Sequence, residues 1–121
     1  YYWLENLMKH IGNDHVVIAD AKRGDIGNTG LHYANAFLNH FNCDAITVSP
    51  YMGEESIEPF ISTPLKGAYV LCRTSNKSST FLQEDIYSKV ISLCEALNSQ
   101  QNIGLVMISH STLIHYVTPS T

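Results

Sequence analysis

Four short, continuous apolar runs divide the chain, and polar residues follow each of them. Runs of this kind are typical of strands that are buried on both faces of a parallel sheet. We therefore predict four strands, over Val16–Ala19, Ala45–Val48, Ala68–Cys72 and Ile103–Ile108.

Between the predicted strands, apolar residues recur every three or four positions, which is the spacing of one helix face. The predicted helices cover Leu4–Ile11, Leu31–Phe41, Ser56–Ile61 and Ile86–Leu97. Asn28 or Thr29 is expected to cap the second helix, because both side chains accept hydrogen bonds from N-terminal amides of helices. Strands alternating with helices predict an α/β fold, in which helices cover the outside of a parallel sheet.

Composition and charge narrow the classes of function. The chain has 121 residues, enough for one small domain. Its net charge is −4 and its longest basic cluster is Lys22-Arg23, which argues against nucleic-acid binding through phosphate neutralisation. No apolar run approaches the roughly 18 residues of a membrane span. The three cysteines are unclustered and odd in number, which favours reduced thiols in a cytoplasmic protein.

Polar side chains gather where three of the predicted strands end. Asp20 and Lys22 follow the first strand two positions apart, so their side chains can point to the same side. Asp25 lies in the loop just after them, Ser49 follows the second strand, and Arg73–Asn76 follows the third. Parallel α/β sheets carry ligand chemistry at the C-terminal ends of their strands. The sequence therefore predicts a site at this end of the sheet.

The three charges after the first strand favour a particular chemistry. A lysine flanked by two carboxylates stays protonated, because each opposite charge stabilises the cation. A protonated lysine is a poor Schiff-base nucleophile but a good proton donor to a carbanion. Asp20, Lys22 and Asp25 therefore indicate loss of a negatively charged group or proton transfer at carbon. The alternative is a surface ion pair, which would contribute little stability.

One segment carries these charges in a recognisable order. Asp20–Thr29, DAKRGDIGNT, resembles the orotidine 5′-phosphate decarboxylase family, with its Asp-x-Lys-x-x-Asp core. Thr47–Gly53 and Val70–Asn76 are similar to two further blocks of one bacterial branch of that family. The resemblance extends from Leu4 to Val106.

The resemblance implies a role for each matching residue. Asp20 would stand beside the substrate carboxylate and destabilise it, and Lys22 would stabilise and protonate the carbanion left at C6 of the pyrimidine. Ser75 would hydrogen-bond the pyrimidine edge. The residues expected to reach the neighbouring active site of a homodimer are Asp25, Ile26 and Thr29.

The resemblance also implies a fold and a reaction. The family is a (β/α)₈, or TIM, barrel, of which this chain would supply about four parallel βα units, an open half barrel with unpaired edge strands. Orotidine 5′-phosphate would lose carbon dioxide to give uridine 5′-phosphate, the last step of de novo uridylate synthesis. Neither a metal nor another cofactor is implied.

The resemblance predicts a truncated chain. Residues 1–108 are expected to be a central segment of the barrel, and residues 109–121 an unmatched C-terminal tail. An earlier Asp and Lys of the family's charge network would precede Tyr1, and the Gln and Arg that grip the phosphate would follow Thr121.

Two other functions stay open at this point. The first is a related decarboxylase of the 3-keto-L-gulonate 6-phosphate type, which shares the Asp-x-Lys-x-x-Asp core and uses Mg²⁺; Thr74-Ser75-Asn76 argues against it. The second is a non-catalytic fragment that binds a ligand weakly or pairs with a partner.

Overall fold

A four-stranded parallel sheet organises the computed structural model, which describes residues 2–108. The strands lie side by side in sequence order as β1–β2–β3–β4. They span Ile18–Arg23 (β1), Ala45–Val48 (β2), Gly67–Arg73 (β3) and Ile103–Met107 (β4). The α/β fold of about four parallel βα units is therefore confirmed. The predicted tail, residues 109–121, lies outside the described residues.

Four α-helices connect or precede the strands within the described part of the chain. They span Tyr2–Ile11 (α1), Gly27–Ala34 (α2), Glu58–Ile61 (α3) and Thr80–Leu97 (α4). A π-helical segment, Asn35–His40, prolongs α2, and short 3₁₀ turns at Glu54–Ser56 and Lys77–Ser79 precede α3 and α4. No helix among residues 2–108 is long and apolar enough to cross a membrane.

The core lies between one face of the sheet and the helices. Ile46 and Val48 of β2 and Val70 of β3 are fully buried there, together with Leu38 and Phe60 from the helical layer. The three cysteines are free and also buried on this side. Burial raises the pKa of Cys72 to about 11 and that of Cys94 to about 12, so both thiols stay protonated at neutral pH.

The other face of the sheet is open in the described structure. Ile18 and Tyr69 are 47% and 39% exposed on it. The Tyr69 ring lies against Gly104, where an added Cβ would come within 2.6 Å of the ring. Since β1 and β4 each pair on one side only among residues 2–108, this is the half-open sheet expected from part of a barrel.

The first strand differs from its predicted bounds. It begins at Ile18 instead of Val16 and continues through Arg23, so Asp20 and Lys22 lie within the strand rather than after it. Exposure alternates along β1, with Ala19 turned towards the helices. Asp20 and Lys22 are tolerated in the strand because their side chains face the open side.

The start of the second helix was also predicted wrongly. It begins at Gly27, and Ile26 occupies the N-cap position without a side-chain cap. Gly27 has a φ of +58°, a left-handed conformation that glycine adopts without steric cost. The chain therefore turns into the helix before Asn28 or Thr29 can act as a cap.

The predicted helix Ser56–Ile61 is split in the structure. Ser56 ends the 3₁₀ turn, and its hydroxyl donates to the carbonyl oxygens of Gly53 at 2.7 Å and Ser49 at 3.1 Å. Pro59 lies in the first turn of α3, where its missing N–H costs no helical hydrogen bond. The helix therefore restarts at Glu58.

Candidate active site

Asp20 and Lys22 form a charged pair on the open face of β1. Lys22 Nζ donates a hydrogen bond to Asp20 Oδ1 at 2.7 Å, so the two side chains share one side, as their spacing predicts. The side chain of Asp20 is 67% exposed and that of Lys22 is 53% exposed. Both groups are therefore within reach of a ligand on this face.

Thr47 of the neighbouring strand completes this group. It is 7% exposed, and its Oγ1 donates to Asp20 Oδ1 at 2.9 Å. The same Oγ1 accepts a hydrogen bond from the Lys22 backbone amide at 3.0 Å. One hydroxyl on β2 thus contacts both residues of the charged pair on β1.

These contacts set the charge state of the aspartate. The hydrogen bond from Lys22 lowers the pKa of the Asp20 carboxyl, and the hydrogen bond from Thr47 lowers it further. Slight desolvation raises the pKa of Asp20, but the two hydrogen bonds lower it by more. Asp20 is therefore ionised at neutral pH and opposes any second anion placed beside it.

The backbone at Lys22 is unusual for a strand. Its φ is +48°, and the pairing of β1 with β2 is irregular between Ala19 and Arg23. A non-glycine residue in this region costs about 1–3 kcal/mol, and such residues cluster at functional sites. Arg23 follows the alternation of β1 to the helix side, where its guanidinium lies 5.0 Å from the ring centre of Tyr33.

Asp25 lies beyond the charged pair, in the loop before α2. Its Oδ1 accepts a hydrogen bond from the Ile26 amide at 2.8 Å. Within residues 2–108 the structure records no ion pair between Asp25 and Lys22. Ile26 and Thr29 are exposed at the start of α2. Ile26 and Thr29 are therefore open to a neighbouring molecule, whereas Asp25 is half-buried.

Ser75 is exposed in the loop that follows β3, and side chains of helix α4 contact this loop. Gln83 accepts a hydrogen bond from the Thr74 amide at 2.7 Å and donates one to Thr74 Oγ1 at 2.9 Å. Arg73 pairs with Glu84 at 2.9 Å. Together these contacts fix the position of Ser75 at the end of its strand.

The family of the chain follows from its similarity to known proteins. A sequence profile described as Orotidine 5′-phosphate decarboxylase / HUMPS family matches residues 4–119. The chain belongs to this family. The match continues past Val106, where the resemblance in the sequence itself ends. The division at residue 108 stays a prediction, because the residues after it lie outside the described structure.

Relatives and solved structures of this family match most of the chain. Two curated proteins named orotidine 5′-phosphate decarboxylase, from Dehalococcoides mccartyi strain BAV1 and Azoarcus sp. strain BH72, are 43% and 46% identical to this chain over 114 residues. Each match covers 86% of this chain and 42% of the relative. The chain thus spans about 42% of the length of these curated relatives.

The solved structure of Leishmania donovani OMP decarboxylase superposes with a TM-score of 0.79 at 41% identity. It is covered to 44% of its length, and this chain to 86%. Toxoplasma gondii and Streptomyces avermitilis structures described as orotidine decarboxylases match at 31% identity, with TM-scores of 0.77. The partial barrel predicted from the resemblance is therefore confirmed.

Two residues of the site were missed by sequence reasoning. Thr47 carries a recognisable signal, because it is the one polar residue in the buried strand Ala45–Val48 and a buried hydroxyl needs a partner. Gln83 carries no such signal, since glutamines near the start of a helix are common on protein surfaces. Only the folded chain brings it to Thr74.

Gln83→Leu is expected to loosen the loop that carries Ser75. The substitution removes the hydrogen bonds between Gln83 and Thr74 while keeping the size of the side chain. Hydrogen exchange at the Thr74 amide should quicken by roughly tenfold, because one such bond contributes about 0.5–1.5 kcal/mol. Gln83→Glu keeps an acceptor and should retain most of the protection, and Gln100→Leu is a surface control. Unchanged exchange in Gln83→Leu would show that something else holds the loop.

Proposed function

We propose that this chain supplies the central strands of the active site of an orotidine 5′-phosphate decarboxylase, a carboxy-lyase that forms uridine 5′-phosphate and carbon dioxide. The observation that carries the proposal is the hydrogen-bonded pair of Asp20 and Lys22 on the open face of β1. Similarity to relatives named for this activity supports it.

The charged pair suits loss of a carboxylate. Ionised Asp20 raises the free energy of a substrate carboxylate beside it, and this repulsion disappears when neutral carbon dioxide leaves. The bond from C6 to the carboxyl carbon breaks, and its electron pair stays on C6 next to the Lys22 cation. Nζ of Lys22 then donates its proton to C6. Interactions that strengthen as the carbanion forms are those that raise kcat.

The remaining residues act around this centre. Ser75, held by α4 at the end of β3, hydrogen-bonds the pyrimidine edge. Asp25, Ile26 and Thr29 reach the neighbouring active site of a homodimer, and the exposure of Ile26 and Thr29 after β1 is compatible with this. The reaction uses neither a metal nor another cofactor, and the protein works in the cytoplasm.

A chimera tests this function directly. Residues 4–106 replace the matching segment of the Azoarcus relative, and the chimera is expressed in a bacterium that lacks its own decarboxylase. We expect growth without uracil and, for the purified chimera, loss of orotidine absorbance at a rate unaffected by Mg²⁺. Turnover that requires Mg²⁺ would favour a metal-dependent relative. A folded chimera that binds uridine 5′-phosphate but does not decarboxylate would contradict the proposal.

A further inference from the structure

We propose that Thr47 is a positioning residue, whose hydroxyl holds the Lys22 backbone and the Asp20 carboxylate in one fixed arrangement. The effect of this arrangement on catalysis rests on the proposed function. The arrangement itself is inferred from the contacts of the Thr47 hydroxyl alone.

The hydroxyl of Thr47 both donates to and accepts from the pair. A threonine hydroxyl has one proton to donate and lone pairs to accept with. The proton goes to Asp20 Oδ1, and a lone pair accepts the Lys22 amide. Rotating the hydroxyl towards any other partner would break one of these two bonds.

The hydroxyl contacts the backbone where the pairing of the two strands is irregular. The register of β1 with β2 shifts between Ala19 and Arg23. The Lys22 amide lies in this irregular stretch and donates to the Thr47 hydroxyl. The left-handed backbone at Lys22 is therefore anchored by a side chain of the neighbouring strand.

Thr47 is well placed to act as such an anchor. Its strand is flanked by β1 and β3, and its backbone is in register with Tyr69. Threonine is branched at Cβ, which restricts rotation about χ1. The hydroxyl is therefore held by a buried strand, whereas Lys22 has a long and flexible side chain. Fixing the Lys22 backbone in this way limits where Nζ can lie. Small displacements of catalytic groups reduce the reaction rate strongly.

The arrangement also distinguishes the two oxygens of Asp20. Both described donors, Lys22 Nζ and Thr47 Oγ1, reach Oδ1. Lys22 on the same strand and Thr47 on β2 both lower the pKa of this carboxyl group. Oδ2 receives neither of these two hydrogen bonds.

The test uses the full 121-residue chain with ¹³C-labelled aspartate, and follows the Asp20 carboxyl by NMR as the pH is lowered. Thr47→Val removes the hydroxyl at nearly constant shape, so the Asp20 pKa should move upwards and the Lys22 amide should exchange roughly tenfold faster. Thr47→Ser restores a hydroxyl and should return both values towards those of the parent chain. Thr63→Val, before β3, is the matched control and should change neither.

Three outcomes decide the inference. An unchanged Asp20 titration in folded Thr47→Val overturns it, and so does a shift that Thr47→Ser fails to reverse. If Thr47→Val does not fold, exchange of the Lys22 amide in the parent chain decides: slow exchange supports the inference, and exchange at the rate of an open loop overturns it. None of these measurements needs turnover, so an inactive chimera would count against the proposed function and not against this arrangement.

Discussion

Lys22→Ala in the chimera is expected to abolish decarboxylation. The substitution removes both the cation beside the developing carbanion and the proton that completes the reaction. Loss of a positioned proton donor alone costs roughly 10²–10⁴ in rate, and the lost cation adds to this. We expect kcat to fall by at least roughly a thousandfold, with a smaller change in the affinity for uridine 5′-phosphate. Purified variants are compared by orotidine absorbance and by ligand titration.

The control for this variant is Lys89→Ala. Lys89 is exposed on α4, so its removal subtracts one positive charge without touching the charged pair. Growth without uracil should persist with Lys89→Ala and stop with Lys22→Ala. Near-normal turnover of Lys22→Ala would contradict the assignment of Lys22 as proton donor.

Phe60→Ala is expected to have the largest effect on stability. Phe60 is completely buried in the core between α3 and the sheet. Truncating a buried phenylalanine costs about 3–5 kcal/mol, which is a large part of the free energy of unfolding of a small domain. Thermal unfolding of the full chain, followed by circular dichroism, should shift to much lower temperature or disappear.

Phe81→Ala is the matched control for the core variant. It makes the same chemical change on a side chain that is 85% exposed. Its effect on the free energy of unfolding should stay within about 0.5 kcal/mol, as for most surface substitutions. Equal destabilisation by the two variants would mean that the described core is not the one that holds the chain together.

The second strand was predictable because burial on both faces leaves few choices of residue. Over Ala45–Val48 the apolar run and the strand coincide. The prediction that Asp20 and Lys22 point to the same side was correct, because alternation along a strand places residues two apart on one side. Their roles in catalysis stay predictions, as do those of Asp25, Ile26, Thr29 and Ser75.

Other features depend on tertiary contacts that no local pattern encodes. The left-handed backbone of Lys22 arises where two strands lose register, and a lysine in sequence gives no sign of it. The early start of α2 depends on the turn at Gly27, whereas capping preference favours Asn28 or Thr29. The contact of Gln83 with Thr74 forms only once α4 has packed behind β3.

The order of strands in the sheet bears on how the chain acquires its structure. Within residues 2–108, β1, β2 and β3 each pair with the strand that follows in sequence, so none of these pairings has to wait for a distant segment. Contacts between nearby segments lose less chain entropy when they close, and proteins rich in them fold faster. During synthesis, β1 and β2 can associate before β4 has left the ribosome. We therefore expect the part of the site that holds Asp20, Lys22 and Thr47 to form ahead of the loop that carries Ser75.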